Sequence, residues 1–98
     1  MAVIMILDVE GVGTDTYEAV NDRLGIRSAD SLPDGCIAHA AGPTDGGLLI
    51  ADVWESAEAF QTFASERLGP MIVQIMGDDA PTPSVEIREL YDVIKGAG

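Results

Sequence analysis

Residues 35–56 constrain the fold more than any other stretch, because two apolar runs flank a short segment of turn-forming residues. Glycine, proline, threonine and aspartate fill 42–47, and such residues reverse the chain direction. The pattern predicts a β-hairpin. If 44–45 form a two-residue loop, His39 in the first strand pairs with Ile50 in the second.

The hairpin gathers several rare side chains on one face. Side chains of a strand repeat their direction every second residue. One face is therefore predicted to carry Ile37, His39, Ala41, Asp52 and Trp54. A one-residue change of register would send His39 and Asp52 to opposite faces, so their proximity depends on the register.

The first part of the chain reads as a strand followed by a helix. The 98 residues suffice for one domain, predicted to span 1–98. A continuous apolar run over 2–10 predicts a strand. Asp15 and Glu18 have capping-box spacing, which predicts a helix over 15–25 that ends at Gly25.

The part after the hairpin is predicted to contain a helix followed by a strand. Ser56 is predicted to cap a second helix, which Gly69 and Pro70 interrupt before a short extra helix over 71–76. A last strand begins at Ser84, with four apolar residues of one parity: Val85, Ile87, Tyr91 and Val93. The resulting β-α-β-β-α-β order predicts a ferredoxin-like α+β fold with an antiparallel sheet.

The strands are apolar on both faces, which a ferredoxin-like sheet with helices on one face does not require. In the first strand, Val3, Met5 and Leu7 alternate with Ala2, Ile4 and Ile6. Hydrophobic residues make up 47% of the chain. We therefore expect a homodimer in which two sheets pack against each other and enclose a cavity.

The net charge, the single cysteine and the N-terminal residues indicate which ligands and which location to expect. The formal net charge is −12, which disfavours binding to nucleic acid or to an anionic membrane surface. Cys36 is the only cysteine; an inert core residue is expected there, and no metal site is predicted. The apolar N-terminus lacks a basic region and meets Asp8 too early to span a bilayer, so a cytoplasmic location is expected.

Several short motifs resemble one known group of proteins. They are Asp34-Gly35, His39-Ala-Ala-Gly42, Asp45-Gly-Gly47 and Asp52-Val-Trp-Glu-Ser56, followed by Phe60 and Phe63. The chain resembles the antibiotic-biosynthesis-monooxygenase-like proteins of the dimeric α+β barrel superfamily. The resemblance implies a dimeric barrel and a cofactor-free enzyme of monooxygenase, cyclase or isomerase type. Its substrate is expected to be an aromatic or polyketide-like small molecule.

His39 and Asp52 are the predicted catalytic residues. An imidazole exchanges protons near neutral pH, and a neighbouring carboxylate would orient it for general acid–base catalysis. The alternative is a buried histidine that is hydrogen-bonded to the backbone or to a neighbour. A non-catalytic, dimeric small-molecule-binding or stress-related protein with the same pocket therefore stays open.

Four further residues are candidates for substrate binding: Tyr17, Trp54, Arg88 and Tyr91. Trp54 could form a wall of the cavity or anchor the core. Both tyrosines lie on apolar stripes, where packing with a solvated hydroxyl is the alternative. Arg88 could bind an anionic ligand if its face lines the cavity, or it could pair with Glu86 or Glu89.

Overall fold

The computed structural model describes residues 1–26, 28–77 and 84–94. The strands are β1 (Val3–Glu10), β2 (Cys36–Pro43), β3 (Gly47–Trp54) and β4 (Ser84–Glu89). The helices are α1 (Thr14–Leu24), α2 (Ala57–Phe63) and α3 (Gly69–Met76), with a π-helical turn at Ala64–Leu68 and a 3₁₀ turn at Ala29–Ser31. The order is β-α-β-β-α-β, which confirms the predicted ferredoxin-like α+β fold.

The four strands form one antiparallel sheet in the order β2-β3-β1-β4. Its helix-side face supplies most of the core, in which Val3, Met5, Leu7 and Trp54 pack with Phe60 of α2. The alternating residues form the opposite surface, which we call the open face: Ile4, Ile6, Ala38, Ala40, Leu49, Ala51 and Val53. No helix among the described residues is long and apolar enough to cross a membrane.

The hairpin register differs from the one expected, and the difference leaves the faces unchanged. His39 pairs with Asp52 rather than with Ile50. The turn is longer than two residues: the Thr44 N–H donates to the Gly47 carbonyl at 2.9 Å. Since the shift amounts to two residues, every side chain beyond the turn keeps its predicted face.

Gly47 explains where the second strand of the hairpin begins. It pairs with Glu10 of β1, so the backbone of β3 is already in the sheet at this residue. A Cβ atom there would lie 1.9 Å from the Val9 carbonyl oxygen, whereas the neighbouring Gly46 has nothing within 4 Å. Only glycine permits this close approach between β3 and β1.

A β-bulge near the start of β2 corrects a second expectation. Cys36 lies opposite Trp54 while Ala38 lies opposite Val53, which leaves Ile37 as an extra residue. An extra residue reverses the parity on its two sides. Cys36, rather than the predicted Ile37, therefore shares the helix-side face with His39.

The helix boundaries follow the sequence signals in part. Gly25 ends α1 in the left-handed conformation, with φ of 77°, and its N–H donates to the Asn21 carbonyl, as predicted. The Ser56 hydroxyl accepts the Ala59 N–H at 3.1 Å, which confirms the predicted cap of α2. The capping box at Asp15 was wrong, because α1 begins at Thr14 after Gly13, which makes no side-chain cap.

The expected break between the second helix and the short extra helix is a widened turn instead. The Gly69 N–H bonds to the Ala64 carbonyl, five residues back. Pro70 lies in the first turn of α3. A proline lacks the donor and crowds the carbonyl four residues earlier, so a π-turn lets the helix continue past it.

The last strand is shorter than predicted. It ends at Glu89, and the Leu90 N–H donates to the Ala2 carbonyl at 2.9 Å. Tyr91 and Val93 therefore lie beyond the sheet, although their spacing fits a strand. β1 offers the continuing strand no further partners, because β1 itself begins at Val3.

Candidate functional site

A cavity of about 120 Å³ lies between the helix-side face and the helices. Met5, Leu7 and Trp54 line it from the sheet, and Val20, Phe60 and Ile72 line it from α1, α2 and α3. This cavity lies within one chain, and His39 and Asp52 are among its lining residues. The predicted cavity between the sheets of two subunits stays a prediction.

Hydrogen bonds connect four of the predicted site residues at one end of this cavity. His39 Nδ1 lies 2.5 Å from Asp52 Oδ1, and His39 Nε2 lies 2.5 Å from Tyr17 Oη. The Trp54 indole N–H donates to Asp52 Oδ2 at 3.3 Å. The structure thus brings together Tyr17, His39, Asp52 and Trp54, which we call the polar cluster.

The direction of each bond follows from the chemistry of Asp52. An ionised carboxylate only accepts, so His39 donates to it through Nδ1–H. A neutral imidazole with its proton on Nδ1 accepts at Nε2, and Tyr17 is then the donor to that nitrogen. The chain of donors runs from the phenol through the imidazole to the carboxylate.

Three sets of contacts hold the cluster in this geometry. The pairing of β2 with β3 places His39 directly opposite Asp52. The first turn of α1 brings the Tyr17 ring parallel to the imidazole, with an interplanar angle of 9° and 5.9 Å between the ring centroids. Trp54 packs against Phe60 and Phe63 of α2, with centroid separations of 5.6 and 5.5 Å.

The cluster is buried at the carboxylate and partly open at the imidazole. Asp52 is 6% exposed, and both of its oxygens accept hydrogen bonds. The His39 side chain is 20% exposed. Within the described ranges, no buried side-chain nitrogen or oxygen lacks a partner. A buried carboxylate with both oxygens bonded avoids most of the cost of desolvation and gives the imidazole a fixed orientation.

Cys36 also lines the cavity, and its surroundings make it unreactive. Burial, and to a smaller extent the nearby Asp52 carboxylate, raises the pKa of its thiol to about 11. The thiolate is the nucleophilic form of cysteine, so the protonated thiol is a poor nucleophile. Residues 1–26, 28–77 and 84–94 contain no group of three or more His, Cys, Asp or Glu side chains arranged to hold a metal ion.

Two predicted binding residues lie away from the cavity, and the geometry of β4 explains why. Arg88 pairs with Ile4 on the open face, where its guanidinium bonds the Glu86 carboxylate at 2.7 Å. This is one of the two alternatives left open for Arg88. Tyr91 lies past the end of β4 and is fully exposed. Neither side chain lines this cavity, and their assignment to substrate binding stays a prediction.

Sequence reasoning missed polar residues of α1 that line the cavity. Thr16 and Asn21 border it beside Tyr17, and Met76 closes it from α3. Asn21 follows Tyr17 by four residues, so the two lie on the same side of the helix. That spacing is visible in the sequence, but a stripe defined by apolar residues alone does not include the polar Asn21.

Comparison with known proteins yields similarity at the level of structure alone. No family model matches the chain, and no curated relative matches it. SnoaB, a cofactor-independent oxygenase from Streptomyces nogalater, is 12% identical with a TM-score of 0.61 over 97% of each chain. A proposed antibiotic biosynthesis monooxygenase from Deinococcus radiodurans is 16% identical with a TM-score of 0.62 over the whole of both chains.

A third similar structure belongs to a protein with a different activity. The haem degrader MhuD from Mycobacterium tuberculosis, solved with two haems in its active site, is 20% identical with a TM-score of 0.56 over 95% of this chain and 99% of that one. Similarity at these identities describes the fold and leaves the reaction to the site. On that basis, the chain shares the fold of these solved structures, which include a cofactor-independent oxygenase and a proposed antibiotic biosynthesis monooxygenase.

Proposed function

We propose that this protein is a small cofactor-independent enzyme that removes a proton from an aromatic or polyketide-like molecule held in the cavity. The observation that carries the proposal is the hydrogen-bonded series Tyr17–His39–Asp52 at one end of a cavity that is otherwise mainly apolar. The fold shared with a cofactor-independent oxygenase supports the same class of reaction. Polar groups concentrated at one point of an apolar pocket are typical of a site that orients and activates a ligand.

In this proposal, His39 is the general base and Asp52 stabilises the imidazolium that forms. Proton transfer to a positioned histidine contributes about 10²–10⁴-fold to rate in characterised enzymes. The buried carboxylate accepts from Nδ1–H, so Nε2 is the nitrogen that takes up the proton. Trp54 bonds the other carboxylate oxygen and keeps Asp52 in place.

Tyr17 is the group that faces the substrate. Both nitrogens of His39 already have partners, and the partner of Nε2 is the Tyr17 hydroxyl. A substrate proton therefore reaches the imidazole through this hydroxyl. Tyr17 donates its proton to Nε2 while its oxygen accepts the proton of the substrate, so the phenol is regenerated in the same step.

The deprotonated substrate then reacts with dioxygen, which is the oxidant. For a phenol whose ring carbon opposite the hydroxyl bears hydrogen, the carbanion adds dioxygen, and the imidazolium returns its proton through Tyr17 to give a hydroperoxide and the free base. Loss of water from the peroxide leaves a carbonyl at that carbon. One oxygen atom enters the product and the other leaves as water, and the four electrons that dioxygen accepts come from the substrate. Without dioxygen, the same carbanion could cyclise or isomerise.

A homodimer and a cytoplasmic location are part of the proposal. The open face carries Ile4, Ile6, Leu49, Ala51 and Val53, and Leu49 is 40% exposed. Burying such a face in a second copy would remove this apolar surface from water and would close the sheets into a barrel. The cavity lies on the other side of the sheet, so the dimer would not cover it.

Oxygen uptake and product analysis with simple phenols, anthrone-like phenols and 1,3-dicarbonyls test the proposed activity. His39→Ala should lower turnover by about 100-fold or more, and Tyr17→Phe should do the same while preserving the ring. Arg88→Ala is the matched control and should retain full activity. Equal turnover in wild type and His39→Ala would remove His39 from catalysis. Tight binding of these molecules without turnover would favour the non-catalytic binding protein.

A further inference from the structure

We propose that the ligand of this cavity is a neutral molecule of about one aromatic ring that carries a single acidic hydroxyl, such as a simple phenol or a small enol. The inference rests on the proposed function for the fate of the hydroxyl proton. It excludes multi-ring molecules and carboxylated or phosphorylated ones. Three properties of the cavity support it: its volume, its lack of cations and the position of its polar end.

The volume limits the ligand to about one ring. The cavity measures about 120 Å³. A dry apolar cavity of about 150 Å³ in another protein accommodates benzene, so a comparable space holds one substituted ring. Buried side chains of the core form several of the walls, including Met5, Trp54 and Phe60. Since packed cores resist expansion, a three-ring molecule would require the helices to move away from the sheet.

The charges around the cavity exclude an anionic ligand. Asp52 is the only acidic or basic side chain, apart from His39, among the described residues that line it. The Arg67 guanidinium lies over the Phe63 ring and donates to the Leu24 carbonyl at 2.9 Å, and Arg88 lies on the open face. A carboxylate in the cavity would lose its hydration beside the Asp52 carboxylate, and no lysine or arginine in the part of the chain that the structure describes lines the cavity to compensate it.

The polar side chains of the lining lie close to Tyr17 on α1 or belong to the hydrogen-bonded series, and Tyr17 Oη is the atom of the Tyr17–His39–Asp52 series that can accept a further hydrogen bond. The remaining wall is built largely of aliphatic and aromatic side chains such as Leu7, Val20 and Ile72. A ring therefore packs against these side chains while its hydroxyl donates to Tyr17.

Calorimetric titration of the full chain with four probes tests the inference without relying on turnover. The probes are para-cresol, its methyl ether para-methylanisole, the carboxylate para-toluate and the tricyclic anthrone. We expect para-cresol to bind at least about 10-fold more tightly than the ether, which cannot donate. We expect a difference of at least about 100-fold against para-toluate, because that anion stays uncompensated.

Two variants check that binding occurs in this cavity. Val20→Trp fills the space without altering the polar cluster, and it should abolish binding of para-cresol. Val73→Trp is the matched control, since Val73 is 54% exposed on α3 and should leave affinity unchanged. Should Val20→Trp fail to fold, Asp52→Asn serves instead: loss of the carboxylate should reduce the preference for para-cresol over para-toluate by about 10-fold.

The outcomes separate this inference from the proposed function. Equal affinity for para-cresol and para-toluate, or tighter binding of anthrone, would overturn the one-ring neutral ligand. Turnover of anthrone by a protein that does not bind para-cresol would overturn it too, and would leave the proposed enzyme standing. Binding of para-cresol in the expected order, without proton exchange or turnover of any phenol, would support the ligand class and contradict the enzyme.

Discussion

The two faces of the sheet are built from the same strands and have opposite chemical character. The helix-side face holds a buried carboxylate, an imidazole and an indole N–H that satisfy one another. The open face is apolar at its centre, and its charged residues, such as Arg88 and Glu86, are exposed at the edge strand β4. A polar group is tolerated where its partners are fixed by the fold, and an apolar group is tolerated at a surface where a partner chain can cover it.

This difference is what the proposed activity and the proposed dimer require of the two faces. The hydrogen bonds of the polar cluster join residues of α1, β2 and β3 of one chain, so the cluster is complete without a second copy. The open face contributes nothing to the cavity wall among the described residues. Changes on one face should therefore affect chemistry and ligand binding, and changes on the other should affect association.

The largest effect is expected from a charge at the centre of the open face. Val53→Asp would place two like charges in the proposed dimer interface, and we expect it to weaken dimerisation by at least about 1,000-fold. Light scattering and sedimentation at micromolar concentration measure the change. Val73→Asp, on an exposed part of α3, is the control and should leave the dimer intact. A monomeric wild type at that concentration would contradict the proposed association.

A somewhat smaller effect is expected when the buried carboxylate is removed. Asp52→Ala leaves the Trp54 N–H and the His39 N–H without an acceptor, which should lower the free energy of unfolding by about 3 kcal/mol. Asp8→Ala removes an exposed carboxylate of β1 and should change it by less than about 0.5 kcal/mol. Urea denaturation distinguishes them, and equal losses would show that the polar cluster contributes no particular stability.

The bulge predicts a protected thiol on the helix-side face. The pKa of Cys36 rises from 9.0 to about 11, so at pH 8 alkylation by iodoacetamide should be about 100-fold slower in the folded chain than in urea. Mass spectrometry follows the reaction. Rapid alkylation of the folded protein would place Cys36 on the wrong face.

The same shift in pKa predicts a pH dependence of stability. The folded state holds the Cys36 proton more tightly than the unfolded state does. Its contribution to the free energy of unfolding is complete below about pH 9 and is lost as the pH rises toward 11. Comparison of wild type with Cys36→Ala in urea across this range isolates the contribution. An identical pH dependence in both chains would argue against it.

The smallest effects are expected at Arg88 and Tyr91, the two predicted binding residues that do not line the cavity. Arg88→Ala loses an exposed ion pair with Glu86, and Tyr91→Phe loses only an exposed hydroxyl. Each should change the free energy of unfolding by less than about 0.5 kcal/mol and the affinity for para-cresol by less than about 2-fold. A large loss of affinity in either variant would show that β4 reaches the ligand after all.

Periodicity predicted which residues share a face, and it could not predict how the strands align. His39 and Asp52 were placed on one face, and they remain together because the register shifts by two residues. The bulge at Ile37 reverses parity over one short segment, and no turn residue marks it. Tyr91 has the right spacing for β4, but β1 provides no pairing there. The register, the bulge and the end of β4 all depend on pairing with another strand, and the pattern of residues within one strand carries no information about that pairing.

The position of the cavity could not be predicted from the periodicity of apolar residues either. Apolar residues on both parities predict two packing surfaces, of which the structure shows the helix-side one, and the second stays a prediction. Which surface holds the polar cluster depends on the side of the sheet to which α1 returns with Tyr17, and that is a property of the connections in three dimensions. The sequence identifies the residues of the polar cluster, and the chain topology determines on which face of the sheet they lie.

The extra residue at Ile37 has a consequence for how such a protein can diversify. Residues Leu32 and Pro33, which precede β2, line the cavity, whereas His39 and Asp52 lie beyond the bulge. A bulge absorbs a local insertion, so the segment before it can change in length or composition without altering the alignment of the pair beyond it. Exchange of that loop can therefore change the cavity wall while the pair of His39 and Asp52 keeps its geometry, which makes 28–35 the segment to graft between relatives.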